Sequence, residues 1–468
     1  KTVVRASVPW VRIPPSPPFG HPSRDGVASD TRRPASSGPF VVLRGFAMRD
    51  GGAALEGARG GDPHRLQLWR DLAPRFCETA PEPERGCGMS NNYAGLRREL
   101  RAEDGAAERC AARLLAMRER LAPIRDRKRD ASLLLATWNI RDFDSNKFGW
   151  GPRRPETFYY IAEMISCFDL VAVQEVNENL QPLRRLMSIL GREWDYIATD
   201  VTEGRGGNGE RMAFIFNTEK VWFRKVAGEI VLPDGQLVVA RRKIDAKDQP
   251  DIPETTVETR QQFARSPFLV AFQSGWFRFS LCTVHIYYGD NSGPQLQQRI
   301  EEIRKLVGFF ANRQDNATPD TDHLGAPENY ILLGDFNVVS PEHETMKALK
   351  SRGFKVPAEI DGAVVRKDGD HFYDQIAVRV KDRRFKVTGG GMVELFADVF
   401  RDEDMDLYAA HVPAVDPEKK AKFRATTPEG RYRKWRTWQM SDHAPLWIEI
   451  QTDFADAFLR EIAAPPTG

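Results

Sequence analysis

The sequence predicts an α/β protein, because strand-length apolar runs are separated by a segment with a helical pattern. Leu133–Ile140 and Leu170–Val173 are predominantly apolar, and the segment Pro155–Phe168 between them begins with a proline, as many helices do. A strand, a helix and a second strand predict a crossover unit with parallel strands. A third buried strand, Ile331–Leu333, ends at Gly334 and polar residues follow it directly.

The composition excludes several classes of protein. The 68 basic residues nearly balance the 66 acidic ones, so net charge predicts no class of partner. The five cysteines are scattered and contain no CxxC pair, so neither a zinc site nor a disulfide framework is indicated. No apolar run is long enough to cross a membrane. We therefore expect a cytoplasmic monomer.

The chain divides into four parts by composition. Residues 1–88 are rich in Pro, Gly and Arg, and they are either a disordered basic tail or a non-native segment upstream of a start at Met89, which we prefer. Residues 89–130 form an amphipathic helical appendage, since apolar residues recur there near a helical period. Residues 131–452 form the main domain, and residues 453–468 form a C-terminal tail.

Polar residues stand at the ends of the predicted strands. Asn139, Glu175, Asp335 and Asn337 follow strands, whereas other polar residues precede the late strands of the domain. If those late strands are antiparallel to the early ones, all these residues meet at one sheet edge. The residues that precede strands are Asp374, Asp442 and His443.

A second pair of polar residues flanks two further strands. Glu210 precedes the run Met212–Phe216, and His285 follows the run Phe279–Val284. If these strands are antiparallel neighbours, the carboxylate faces the imidazole and raises its pKa, as in proton-transferring histidines. The alternative is a structural histidine at a strand end.

Two polar segments predict loops. The glycine-rich stretch Gly204–Gly209 precedes a strand rather than a helix, so it fits a hairpin loop better than a phosphate-binding loop. Residues 233–262 are charged and interrupted by prolines, and they predict an exposed loop.

With these residues in view, the domain resembles the endonuclease/exonuclease/phosphatase superfamily and, within it, the deoxyribonuclease I branch. The resemblance covers roughly residues 131–452 and implies a four-layered α/β sandwich of two central mixed β-sheets flanked by helices. It also implies hydrolysis of phosphoesters with Mg²⁺ or Mn²⁺. The motifs occur in the family's order: Trp138-Asn139-Ile140, Gln174-Glu175, Gly209-Glu210-Arg211, Thr283-Val284-His285, Gly334-Asp335-Phe336-Asn337, Tyr373-Asp374-Gln375-Ile376 and Ser441-Asp442-His443.

The resemblance implies a role for each motif residue. Asn139 and Glu175 would hold the metal, with Asp442 as a further ligand or close neighbour. These oxygen donors suit Mg²⁺ or Mn²⁺ better than zinc. The general acid and base would be two histidines with their carboxylates, namely His443 with Asp374 and His285 with Glu210.

Two further motif residues would act on the substrate or on water. Asp335 would orient the attacking water or the metal. Asn337 would donate a hydrogen bond to the phosphoryl oxygen as charge develops on it.

Several basic residues are candidates for binding phosphate. Arg265 lies in a segment that resembles the phosphate-contacting arginine segment of the branch, and Arg141 follows the first motif. Residues 418–436 form a basic insert interleaved with aromatic residues, which is either a nucleic-acid groove or a solvated loop. Its candidate phosphate ligands are Arg431, Arg433, Lys434 and Arg436, and its aromatic residues are Phe423, Tyr432 and Trp435.

The sequence thus predicts a metal-dependent phosphodiesterase, with DNA as the partner and substrate, acting as an endonuclease of low sequence preference. One alternative substrate is an inositol phosphate or a phospholipid headgroup. Another alternative is a catalytically silent scaffold, which the intact motifs argue against.

Overall fold

The computed structural model describes residues 91–201, 209–244, 255–317, 329–365, 371–418 and 424–464. Over these ranges, two large mixed sheets are flanked by helices, which confirms the predicted α/β sandwich. The predicted upstream segment 1–88, most of the loop Gly204–Gly209 and five residues of the basic insert lie outside them. Among the described residues, no helix combines the length and apolar character that crossing a membrane requires.

The strands form two sheets and a ribbon. One sheet has the order β12-β13-β1-β2-β4-β3, a second has the order β11-β10-β9-β8-β5, and β6 pairs with β7 alone. In chain order the strands are β1 (Ser132–Phe143), β2 (Leu170–Asn177), β3 (Trp194–Ala198), β4 (Glu210–Asn217), β5 (Trp222–Glu229), β6 (Val238–Ile244), β7 (Thr255–Gln261), β8 (Phe268–Ser274), β9 (Phe277–His285), β10 (Tyr330–Asp335), β11 (Asp374–Arg379), β12 (Val387–Met392) and β13 (Leu446–Gln451).

Helices cover the outer faces of the sheets. In chain order they are α1 (Leu96–Glu99), α2 (Ala106–Arg125), α3 (Pro155–Ile165), α4 (Gln181–Leu190), α5 (Gly293–Asp315), α6 (Glu344–Leu349), α7 (Met405–Tyr408), α8 (Pro428–Gln439) and α9 (Ala455–Ala463). Helices therefore lie in the predicted appendage and in the predicted C-terminal tail, while the proposed domain boundaries remain predictions.

Side-chain alternation along β1 creates two apolar cores. Leu133 and Leu135 belong to the core between the sheets, which also includes residues of β10 and α5. Leu134, Ala136 and Trp138 belong to the core beneath α2, α3 and α4. Successive side chains of a strand point to opposite faces, so one apolar run supplies both layers.

The strand directions bring the predicted site residues to one edge. β1 and β2 are parallel and β13 is antiparallel to β1, while β10 is parallel to β9 and antiparallel to β11. The predicted crossover unit and the predicted antiparallel late strands are thus confirmed. Gly334 has φ +128°, and a Cβ there would collide with the carbonyl oxygen of Val284, so β10 needs glycine just before Asp335.

Two expectations about local structure are wrong, and for the basic insert the loop alternative is wrong where the structure describes it. The strands of Glu210 and His285 are not neighbours, because β4 and β9 belong to different sheets. Residues 233–262 contain the ribbon β6–β7 rather than only a loop, since two β-prone runs pair with each other. The described end of the basic insert is the helix α8, which Thr427 caps by accepting a hydrogen bond from the Gly430 amide.

Candidate active site

Asn139 joins the two sheets at their common edge. Its Nδ2 donates to Glu175 Oε1 at 2.9 Å within its own sheet and to Asp335 Oδ2 at 3.2 Å in the other sheet. Glu175 has φ +60°, a left-handed conformation that non-glycine residues seldom adopt and that clusters at functional sites. Three of the predicted residues therefore meet directly.

The surroundings of Asn139 fit a divalent metal. Asn139 Oδ1 is buried and has no hydrogen-bond partner among the described residues. A buried acceptor without a donor is costly, and a cation beside it would satisfy it. Because the neighbouring donors are carboxylate oxygens, this set suits Mg²⁺ or Mn²⁺.

A second possible set of ligand atoms overlaps the first. Glu175, Glu210 and His285 each offer one ligand atom, and these atoms lie within 4.8 Å of one another. Glu175 belongs to both sets, so the metal and His285 would lie side by side.

Glu210 and His285 pair across the gap between the sheets. His285 Nδ1 lies 3.1 Å from Glu210 Oε2, and Arg265 donates to the other oxygen of Glu210. Burial and the charge of Arg265 oppose protonation of His285, but Glu210 and Asp335 outweigh them and raise the pKa of the imidazole. Burial likewise opposes ionisation of Glu210, but His285 and Arg265 lower its pKa to about 2. The predicted pair exists, although the strands are not neighbours.

His443 forms the second pair. Its Nδ1 lies 2.5 Å from Asp374 Oδ2, and both side chains are buried. Burial opposes protonation of His443, but the charge of Asp374 prevails and raises the pKa of the imidazole to about 10. Trp138 Nε1 donates to the His443 carbonyl at 2.8 Å, and the His443 amide donates to Ser441 Oγ at 3.0 Å. The imidazole is therefore held in one orientation.

Asn337 is bound to its surroundings on two sides. Its amide donates to Asp335 Oδ1 at 2.9 Å, and its Nδ2 donates to the Ile286 carbonyl at 2.8 Å. A side-chain amide has two hydrogens, so this bond leaves one for a substrate oxygen. Its φ of +51° places it among the left-handed residues of the site.

Asp442 and Arg141 lie on one flank of the site. Arg141 Nη1 is 3.3 Å from Asp442 Oδ2 and donates to Thr437 Oγ1 at 2.6 Å. The Arg141 guanidinium also lies 4.0 Å from the centre of the Trp438 ring. Arg141 thus connects Asp442 to α8.

The α8 residues differ from the predicted nucleic-acid groove in two respects. Tyr432 and Trp435 are buried in the core beneath the helices, so they cannot stack on bases, and Phe423 lies outside the described residues. The predicted phosphate ligands contact their own chain: Arg431 bonds the Thr426 carbonyl, Arg433 and Arg436 pair with Asp402, and Lys434 pairs with Asp416 and Glu418.

Sequence reasoning missed two buried arginines that support the site. Arg153 donates to the carbonyls of Arg141, Asp142 and Gln439, which joins the end of β1 to the end of α8. Arg299 donates to the carbonyls of Asn337, Tyr288 and Asp290.

A sequence signal exists for only one of the two. Arg299 falls on the apolar stripe of Leu296, Ile300 and Ile303, so the helical pattern places a charge in the core. Arg153 precedes a helix in an irregular segment and carries no such signal.

Comparison with known proteins gave matches among solved structures alone. No family model matches the chain and no curated protein matches it. It is similar to an endonuclease/exonuclease/phosphatase family protein from Bacteroides thetaiotaomicron, at 19% identity over 68% of this chain and 94% of that one, with a TM-score of 0.40. It is also similar to a mannosyl-6-phosphatase of Bacteroides thetaiotaomicron, at 19% identity over 68% and 99% of the two chains, with a TM-score of 0.39. The human Nocturnin catalytic domain matches at 14% identity over 68% and 94%, with a TM-score of 0.40. The first of these is named for the family that the sequence motifs resemble.

Proposed function

We propose that this protein is a divalent-metal-dependent phosphoester hydrolase. The observation that carries the proposal is the convergence of a buried, unpartnered amide oxygen, Asn139 Oδ1, with the carboxylates of Glu175 and Asp335 beside two histidine–carboxylate pairs. Metal-assisted hydrolysis needs oxygen ligands next to groups that transfer protons. A scaffold without catalysis would not need two buried imidazoles, each fixed by its own acid.

The proposed roles follow from the contacts. Asn139 and Glu175 would hold Mg²⁺ or Mn²⁺, which would supply charge stabilisation at the phosphoryl oxygens. His443, whose imidazole Asp374 orients and whose backbone carbonyl the Trp138 indole binds, would transfer one proton of the reaction.

The remaining roles belong to groups on the second sheet. His285 with Glu210 would transfer the other proton. Its Nε2 lies 3.7 Å from Oδ2 of Asp335, the residue that would orient the attacking water. Asp335 would orient the attacking water, and Asn337 would donate to the phosphoryl oxygen. Asp442 would pair with Arg141, which contacts α8 on this flank of the site.

Two classes of substrate are candidates within this chemistry. The sequence-based proposal of DNA cleavage rests on the motifs and on the basic residues of α8, because cations beside a catalytic edge attract phosphates. A compact phosphoester is the second candidate, and the burial of Tyr432 and Trp435 favours it.

The test compares Glu175→Gln with Glu178→Gln, an exposed neighbour on the following loop. Hydrolysis of bis(4-nitrophenyl) phosphate should require Mg²⁺ or Mn²⁺, stop in excess EDTA, and fall about 100-fold or more in Glu175→Gln, as mutation of catalytic groups does. The Glu178→Gln variant should retain full activity. Full activity of Glu175→Gln, or of the wild type in EDTA, would contradict the proposal.

A further inference from the structure

A cavity of about 980 Å³ opens on the flank of the proposed site that Arg141 and Asp442 form. Asp442 and Ala444, the two neighbours of His443 in the chain, both line it, and so does Arg141. Its volume lies at the upper end of the roughly 300–1,000 Å³ typical of small-molecule sites. The cavity therefore borders the proposed site at Asp442, and it is large enough for a whole small substrate.

One part of the cavity lining is apolar. Met392, Leu395, Phe396 and Ala425 contribute to it, and Phe396 is covered by the Arg436 guanidinium at 4.4 Å from the ring centre. A guanidinium against an aromatic ring makes a flat surface that is both apolar and cationic. Such a surface suits a planar group with polar edges.

The polar part of the lining carries a local excess of positive charge. Arg433 and Arg436 share the Asp402 carboxylate, at 3.1 and 3.0 Å from the same oxygen. Over the whole lining, six basic residues stand against five acidic ones, so the excess is one positive charge. This favours an anionic substrate over a neutral one.

We propose that this cavity holds the non-reacting part of a compact phosphoester, a planar group of about nucleoside size, while the phosphorus lies at the His443 end. The inference rests on the proposed hydrolase function and specifies its substrate class. A polynucleotide fits less well, because the α8 rings that could stack on successive bases are buried.

The experiment uses two diesters with the same leaving group, methyl 4-nitrophenyl phosphate and thymidine 4-nitrophenyl phosphate. In each, water adds to phosphorus as the bond to 4-nitrophenolate breaks, and a phosphate monoester remains. Only the thymidine ester can fill the cavity. In the wild type, we expect kcat/KM for the thymidine ester to be roughly 10- to 100-fold higher than for the methyl ester, a range typical of discrimination by a small apolar contact.

Ala425→Trp fills the cavity, whereas Ala410→Trp adds the same side chain at an exposed position outside it. Ala425→Trp should abolish the preference for thymidine and keep the methyl-ester rate, while Ala410→Trp keeps both. Phe396→Ala removes one wall of the cavity without adding bulk, so it should also reduce the preference for thymidine. It replaces Ala425→Trp in the experiment if that variant does not fold.

The outcomes separate the two proposals. Three outcomes would overturn the cavity assignment and leave the hydrolase function standing. The wild type could turn over the methyl ester without a preference for thymidine, or the preference could survive in both cavity variants. The cavity variants could also lose activity equally on both esters. Rapid cleavage of plasmid DNA that Ala425→Trp does not slow would also overturn it, in favour of a polynucleotide bound elsewhere. Failure of both esters in the wild type with Mg²⁺ or Mn²⁺ would contradict the hydrolase function and the inference together.

Discussion

The buried carboxyl group of Glu302 should make the stability of this protein depend on pH. Glu302 lies on α5, is almost completely buried, and accepts from Gln298 Nε2 at 3.2 Å and from the Tyr287 amide at 3.4 Å. Burial raises its pKa from 4.5 to about 7, although these donors and the charge of Arg265 oppose the rise. The native state therefore holds a proton that the unfolded chain releases above pH 4.5.

The sign and size of the effect follow from this difference. Between pH 4.5 and about 7 the native state binds more protons than the unfolded state, so the free energy of unfolding falls as pH rises, and it stays lower above that window. Each tenfold difference in proton affinity is worth about 1.4 kcal/mol, so the loss is about 3 kcal/mol. Glu302→Gln removes the titrating group and should be more stable than the wild type at pH 8 by up to this amount.

The assay is urea unfolding at pH 4.5, 6 and 8 of the wild type, Glu302→Gln and Glu301→Gln. Glu301 is the matched control, because it is the preceding residue of the same helix and forms a partly exposed pair with Lys305 at 3.5 Å. The advantage of Glu302→Gln should grow with pH, whereas Glu301→Gln should differ little from the wild type at every pH. A constant difference between wild type and Glu302→Gln from pH 4.5 to 8 would refute the reasoning.

Three further predictions test the site. His443→Ala and His285→Ala should each lower kcat about 100-fold or more with little change in binding of a non-hydrolysable diester, and near-normal turnover of His443→Ala would contradict its role. Arg153→Met should lower the free energy of unfolding by about 3–5 kcal/mol, because buried carbonyls lose their donor, whereas Arg192→Met, at a side chain that is 86% exposed, should change it by less than about 0.5 kcal/mol; equal effects would contradict the role of Arg153 in joining β1 to α8. Joint replacement of the α8 cations by glutamine should change the salt dependence of plasmid binding little, because three of the four are paired with carboxylates of their own chain, and a flatter slope would instead support a DNA groove. Those cations are Arg431, Arg433, Lys434 and Arg436.

Much of the fold and of the proposed site follows from local patterns in the sequence. Apolar runs identify β1, β2 and β10, and polar residues at their ends identify Asn139, Glu175 and Asp335. The sequence identifies these strands because burial on both faces requires a continuous apolar run. It identifies the site residues because a rigid strand end fixes the position of the next side chain. That Asp374 and His443 reach the same edge also follows, once their strands run antiparallel to the early ones, whereas their pairing is implied only by the family resemblance.

Only the tertiary structure decided which strands share a sheet and what lies between the elements. Glu210 meets His285 across two sheets, a contact that no periodicity encodes, because the period of a strand reports which face is buried and not which strand buries it. The burial of Tyr432 and Trp435 and the cavity at Asp442 arise in the same way from the packing of α8. The sequence by itself therefore determined the strand-end chemistry of this protein, while long-range packing determined how those groups pair and the shape of the space beside them.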